Sequence, residues 1–264
     1  MKIGYLHIPK TAGMYLTQRI NLALRLPNNT FHKMIDFKDV SVKSIEDLKN
    51  EVQDQFLIHG QWSYNDDIMR AYPFYGGHLS KFDLVTLNRN FRFTNFADPW
   101  RRAFALFNYS LNQSITPMND IEVQFEQWLL VNFKDSIFRQ YYGLNLGQSH
   151  DFSVTDFNEE FTSFFDSIYL CEPDEVIKSL QARDDLPLKA LTSGPRVNEA
   201  AGVNYFKFFE FPAERLYEIF CESLEPEVEL IESVKKFSNN GESSLKTMYT
   251  SSEFELLYNQ YRSK

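Results

Sequence analysis

The sequence predicts an α/β fold with a mainly parallel central sheet flanked by helices on both faces. Three observations carry that prediction. Strand-like apolar runs pass into helix-like segments three times: residues 3–8 into a helical pattern from Met14, residues 91–96 into one from Trp100, and residues 168–171 through a loop into one that reaches Leu180. Strands alternating with helices need crossover connections, which give parallel strands with helices on the faces. The chain has 264 residues, 43% hydrophobic and 16% aromatic, enough to build one large domain spanning 1–264.

The first of these units is the most informative. Its strand ends in Pro9-Lys10-Thr11-Ala12-Gly13, after which Leu16, Ile20 and Leu24 recur every four residues, as one helix face does. A loop holding a lysine, a threonine and two small residues at a helix start suits an anion. The first helical amides have no internal partners, the helix dipole is positive there, and small residues admit an oxyanion closely. Lys10 adds a point charge. The same string also fits an ordinary strand–helix turn with a solvated lysine.

Further along, residues 26–29 predict a turn, residues 44–52 a short helix capped by Ser44, and residues 56–59 a short buried strand. Residues 72–79 predict another strand, broken by Gly76-Gly77 just before His78, with a helical patch over 81–87. After the strand at 91–96, Asp98-Pro99 is a helix-start signal: an N-cap carboxylate, then proline at the first helical position. An aromatic helix is therefore expected over 100–111. Residues 121–133, 136–143, 212–224 and 228–237 predict further helices, and 238–264 carry no assignment. In open parallel sheets, ligands bind beyond the carboxyl ends of the strands. Lys10, His78, Asp98 and Glu172 all follow predicted strands, so one crevice is expected to gather them.

Charge and cysteine usage narrow the partners. The 36 acidic against 27 basic residues give a net charge of −9, which argues against nucleic acid or a long polyanionic polysaccharide. Cys171 and Cys221 lie far apart without metal-type spacing, as in a reduced cytoplasmic protein. No apolar run reaches membrane-spanning length and the first strand begins almost at Met1, so neither a membrane partner nor a signal peptide is expected.

Residues 7–13, HIPKTAG, resemble the 5′-phosphosulfate loop of the P-loop sulfotransferases, closest to the carbohydrate sulfotransferase branch, where the usual form is near PKTGGTS. Asp98, Pro99 and Arg102 stand where that family has the Asp, Pro and Arg of its 3′-phosphate segment. Gly76-Gly77-His78-Leu79 resembles its GH segment, and Glu172 matches a glutamate after a late strand. The resemblance implies a P-loop-type three-layer fold and transfer of a sulfuryl group from 3′-phosphoadenosine 5′-phosphosulfate (PAPS) to a hydroxyl of a small-molecule or carbohydrate acceptor. The product would be adenosine 3′,5′-bisphosphate, and no metal is implied. Lys10 would contact the bridging oxygen. The amides of Thr11, Ala12, Gly13, Met14 and Tyr15, with the Thr11 hydroxyl, would hold the 5′-phosphate. His78 would be the general base, histidine being suited to that task near neutral pH. His59 competes for the role, and Asp66 and Asp67 are further candidates. His7 reads as a strand residue beside the loop, and His32 and His150 as surface residues.

The chain also departs from the family pattern. Met14-Tyr15 replace the usual Thr-Ser, while Ala97 and Ala105 replace the arginine and serine that usually bind the 3′-phosphate. Arg101, Arg102 and Arg196 could supply replacement charge. Two other readings stay open on the same residues. One is a sulfotransferase fold that no longer uses PAPS and binds another ligand or partner. The other is a small-molecule P-loop kinase, against which stand the missing glycine pair of a Walker A loop and the lack of an acidic Mg²⁺ partner after a strand. No segment encodes a recognisable acceptor.

Overall fold

The computed structural model describes residues 1–25, 73–113, 121–143, 154–195, 203–237 and 245–263. The turn, helix and strand expected between 26 and 59 lie outside the described residues. So do His32, His59, Asp66, Asp67, His150 and Arg196.

Four parallel strands form the sheet: β1 (Ile3–Leu6), β2 (Phe74–Gly77), β3 (Phe91–Asn95) and β4 (Ser167–Tyr169), in spatial order β2-β1-β3-β4. Leu6 is in register with Gly77 on one side and Thr94 on the other, and Asn95 with Tyr169. All residues of β1, β2 and β4 are buried, as expected when helices cover both faces of a parallel sheet. Because successive side chains alternate, Ile3 and Tyr5 point to one face and Leu6 to the other. On the first face they pack with Leu16 and Ile20 of α1 (Gly13–Ala23) and with Val176 and Ile177 of α7 (Pro173–Ala182). The opposite face is covered by α2 (Lys81–Thr86), α5 (Ser136–Tyr142), α6 (Val154–Phe164) and part of α8 (Ala213–Phe237). This is the expected α/β three-layer arrangement.

A second, aromatic core has no strand in it. Trp100, Phe104 and Phe107 of α3 (Pro99–Gln113) meet Phe125 of α4 (Ile121–Trp128), Phe206 of a 3₁₀ turn (Tyr205–Phe208), Phe220 of α8 and Phe254 of α9 (Ser251–Ser263). α8 serves both cores: Leu216, Phe220 and Leu224 pack in the aromatic one, Leu230, Ile231 and Val234 against the sheet.

The helices expected over 212–224 and 228–237 are therefore one, with Pro226 inside it. Proline removes one backbone hydrogen bond, and burial on both sides of it carries the helix through. The helix expected over 121–133 ends in a π-helical turn, Leu129–Phe133, where the Lys134 amide reaches back to the Leu129 carbonyl at 3.0 Å. Two helices were not anticipated. α6 presents Phe157, Phe161 and Phe165 at helical spacing. α9 opens with a capping box: the Thr250 amide donates to Glu253 Oε2 at 2.9 Å and the Glu253 amide to Thr250 Oγ1 at 3.3 Å. Lys246 and these Thr250 contacts hold the Glu253 carboxyl down at about 2. No helix among the described residues is long and apolar enough to cross a membrane.

Candidate functional site

All four strands point the same way, so the segments that follow them meet at one edge. β1 leads to β2 on one side, while β3, on the other side of β1, leads to β4. Between β1 and β3 the connections diverge, which leaves a crevice at their carboxyl ends, where ligands settle in doubly wound sheets. The loop after β1, with Lys10, and the loop after β3, with Asp98, flank it.

The β1–α1 loop is tightly built. Lys10 and Ala12 both have left-handed backbones, with φ of 65° and 62°, and Ala12 is the N-cap of α1. Outside glycine that conformation costs roughly 1–2 kcal/mol per residue. Alternation of left-handed residues turns successive amides toward a common concavity of the kind that binds anions. Thr11, between them, is buried; its amide and hydroxyl both donate to the Ile8 carbonyl, at 3.3 and 2.7 Å. Asn95, the last residue of β3, donates its Nδ2 to the Thr11 carbonyl at 2.8 Å and accepts the Tyr5 hydroxyl at 2.6 Å.

Lys10 is half-buried, and its ammonium lies 3.7 Å from the centre of the Tyr109 ring on α3. Burial lowers its pKa from the ordinary lysine value. The Gly13 amide donates to His7 Nε2 at 3.1 Å. A Cβ on Gly13 would stand 2.0 Å from His7 Cδ2, so this glycine is required by an imidazole packed against it. His7 is buried, its carbonyl accepts Gln140 Nε2 at 2.7 Å, and its ring lies 4.7 Å from that of His78. His78 is exposed at the end of β2. The structure thus gathers Lys10, Thr11, Ala12, Gly13, His7 and His78 at one edge.

Other predicted residues are engaged elsewhere. The Tyr15 hydroxyl donates to Asp174 Oδ1 at 2.5 Å and accepts from the Gly194 amide at 3.2 Å, tying α1 to α7 and to the segment before residue 196. Met14, half-buried, opens α1 next to it. Glu172 is the N-cap residue of α7. Arg102 is buried: Nε donates to Glu227 Oε1 at 2.9 Å, Nη2 bonds Glu227 Oε2 and also Ser136 Oγ at 3.2 Å, and the guanidinium lies 4.2 Å from the Phe133 ring centre. Arg101 is more exposed, with Nε 3.4 Å from Asp98 Oδ2. Asn95 and Tyr5 were not anticipated. A polar asparagine closing an otherwise apolar strand run was the available signal.

Asp98 caps α3 as its sequence predicts, accepting the Trp100 and Arg101 amides at 3.0 and 3.2 Å, and it also accepts the Tyr249 hydroxyl. Burial raises its pKa, which the Tyr249 and backbone hydrogen bonds only partly offset. A carboxyl whose folded pKa is raised weakens the fold while ionised, and that penalty lifts as the pH falls through the folded value. Asp98→Ala is expected to cost about 1–2 kcal/mol in denaturant unfolding. Asp98→Asn, which keeps a cap oxygen and drops the charge, should cost much less and flatten the stability profile in the acid range. Equal losses in the two variants would dismiss the cap.

No group of three or more His, Cys, Asp or Glu side chains is placed to hold a metal ion among the described residues. No family model, no curated protein and no solved structure matches the chain.

Proposed function

We propose that this protein is a sulfotransferase that moves a sulfuryl group from PAPS to a hydroxyl of a small-molecule or carbohydrate acceptor. The observation that supports it most is the loop carrying Lys10. It has two left-handed residues, opens directly into α1 and lies at the β1/β3 divergence. Strained non-glycine residues persist where surrounding structure over-determines them, and they concentrate at ligand sites. The first-turn amides of α1 and the concavity of the loop would hold the 5′-phosphate. Lys10, a compact charge on a flexible stem, would stand at the oxygen that carries the departing charge. His78, exposed beside this loop, would take the acceptor's proton. PAPS supplies the sulfuryl group and the leaving phosphate. The Thr11 hydroxyl, turned to the Ile8 carbonyl, and the Gly13 amide, turned to His7, leave less of the loop for the phosphate than its sequence implies. A cytoplasmic location, in keeping with the unpaired thiols of Cys171 and Cys221, belongs to this proposal, as does the expectation that nucleic acid and membranes are not partners.

A second reading has a specific observation in its favour. With Ala97 and Ala105 in place of the usual ligands and Arg102 bonded to Glu227, 3′-phosphate recognition falls to Arg101 and Arg196. The loop would then serve a different anion without sulfuryl transfer.

Calorimetric titration with adenosine 3′,5′-bisphosphate in metal-free buffer separates the two. The first reading expects binding that prefers the bisphosphate to adenosine 5′-phosphate. It also expects Lys10→Ala to weaken binding about 10- to 100-fold, for a charged hydrogen bond of about 1.5–3 kcal/mol. Indifference to the 3′-phosphate favours the second reading, and no binding by the wild type removes PAPS from the account.

A further inference from the structure

We propose that Asn95 is a positioning residue that aims Lys10, an inference that rests on the role given to Lys10 above. Asn95 is 1% exposed and ends β3, across from the loop. Its two ends face different partners. The oxygen accepts the Tyr5 hydroxyl at 2.6 Å and lies 3.3 Å from Thr11 Oγ1; the nitrogen donates to the Thr11 carbonyl at 2.8 Å. A flipped amide would set oxygen against the Thr11 carbonyl oxygen, so the hydrogen-bond pattern fixes its orientation. Burial raises the Tyr5 pKa and keeps that phenol a donor.

Thr11 is the residue on which the loop turns, because the left-handed residues stand on either side of it. Its amide and hydroxyl are held by the Ile8 carbonyl within the loop, whereas its carbonyl is held from the neighbouring strand by Asn95. Rotation of the Thr11 peptide would swing the backbone of Lys10 and carry the ammonium away from the Tyr109 ring, 3.7 Å from it. The chain of contacts Tyr5–Asn95–Thr11 thus anchors the direction of Lys10 to the core of the sheet.

The test reads the position of Lys10 directly, by NMR of isotope-labelled dimethylated lysines, with the Lys10 signal assigned by its loss in Lys10→Arg. A cation over a ring face gives an upfield-displaced signal, and Tyr109→Leu should abolish that displacement. Asn95→Leu, which keeps the volume and removes both hydrogen bonds, should lose most of it while the protein still melts cooperatively. Tyr5→Phe, a milder change that only loosens Asn95, should lose part. Full retention of the displacement in a folded Asn95→Leu protein overturns the proposal. If Asn95→Leu does not fold, Tyr5→Phe decides by the same criterion. The bisphosphate titration fails or succeeds independently: a wild type that does not bind would sink the PAPS reading and leave this measurement intact.

Discussion

Arg102→Met is expected to destabilise the protein by about 3–5 kcal/mol, because it leaves the Glu227 carboxylate buried without its cation. Arg102 is 1% and Glu227 4% exposed, and two guanidinium nitrogens engage the two carboxylate oxygens. The pair joins α3 to α8 at the residue after Pro226, where α8 lacks a backbone hydrogen bond. Losing it should therefore loosen both cores that α8 serves. The double variant Arg102→Met/Glu227→Met removes both charges and should recover most of the loss, since apolar replacement of a buried pair is often neutral. Denaturant unfolding of the two single variants and the double one decides this. Single variants within about 1 kcal/mol of the wild type, the level of a surface pair, would show that water reaches the site. The result also bears on function: a stability loss without a change in bisphosphate affinity would assign Arg102 to the scaffold.

Gly13→Ala is expected to be nearly as damaging. A Cβ there would lie 2.0 Å from His7 Cδ2, with Cγ and Nε2 almost as near, so the imidazole must leave its place. Forcing a packed group aside costs about 1–3 kcal/mol, and losing the Gly13–His7 hydrogen bond adds about 1 kcal/mol. The interaction is pairwise, which makes it testable by a double-mutant cycle. His7→Ala opens the space a Cβ needs, so Gly13→Ala in that background should cost at least about 1 kcal/mol less than in the wild type. Strict additivity of the two changes would show that the ring does not occupy the face of Gly13. A tolerated Gly13→Ala that abolishes bisphosphate binding would instead mean that the glycine serves the ligand.

The two outcomes differ because loop and helix start are legible in the sequence while their occupants are not. The string HIPKTAG announces a strand, a turn and a helix, and its small residues suggest room for an oxyanion. In the structure, the room beside Gly13 is filled by His7, six residues earlier, and the Thr11 hydroxyl turns inward to Ile8. Tyr15, at a position where the resembled family has a hydroxyl, spends its own on Asp174, 159 residues away. Arg102 was read as a possible phosphate ligand because it matches a family position; its partner Glu227 lies 125 residues further on, beyond a proline that was read as a helix end. The capping box of α9 could have been read, since Thr250 and Glu253 have the required spacing.

The sequence by itself determined the alternation of strands and helices, hence the parallel three-layer sheet. It also determined the Asp98 cap and the placing of Lys10, His78, Asp98 and Glu172 after strands. Periodicity, capping and turn chemistry act over a few residues, so a short window contains the whole cause. Tertiary structure alone decided the sheet order that brings β1 beside β3, and with it the contact of Asn95 with Thr11 across 84 residues. It likewise decided the continuity of α8 through Pro226 and the burial of Arg102. These depend on which faces dock, and the favourable free energy of docking is shared among residues far apart in the chain that no local pattern links.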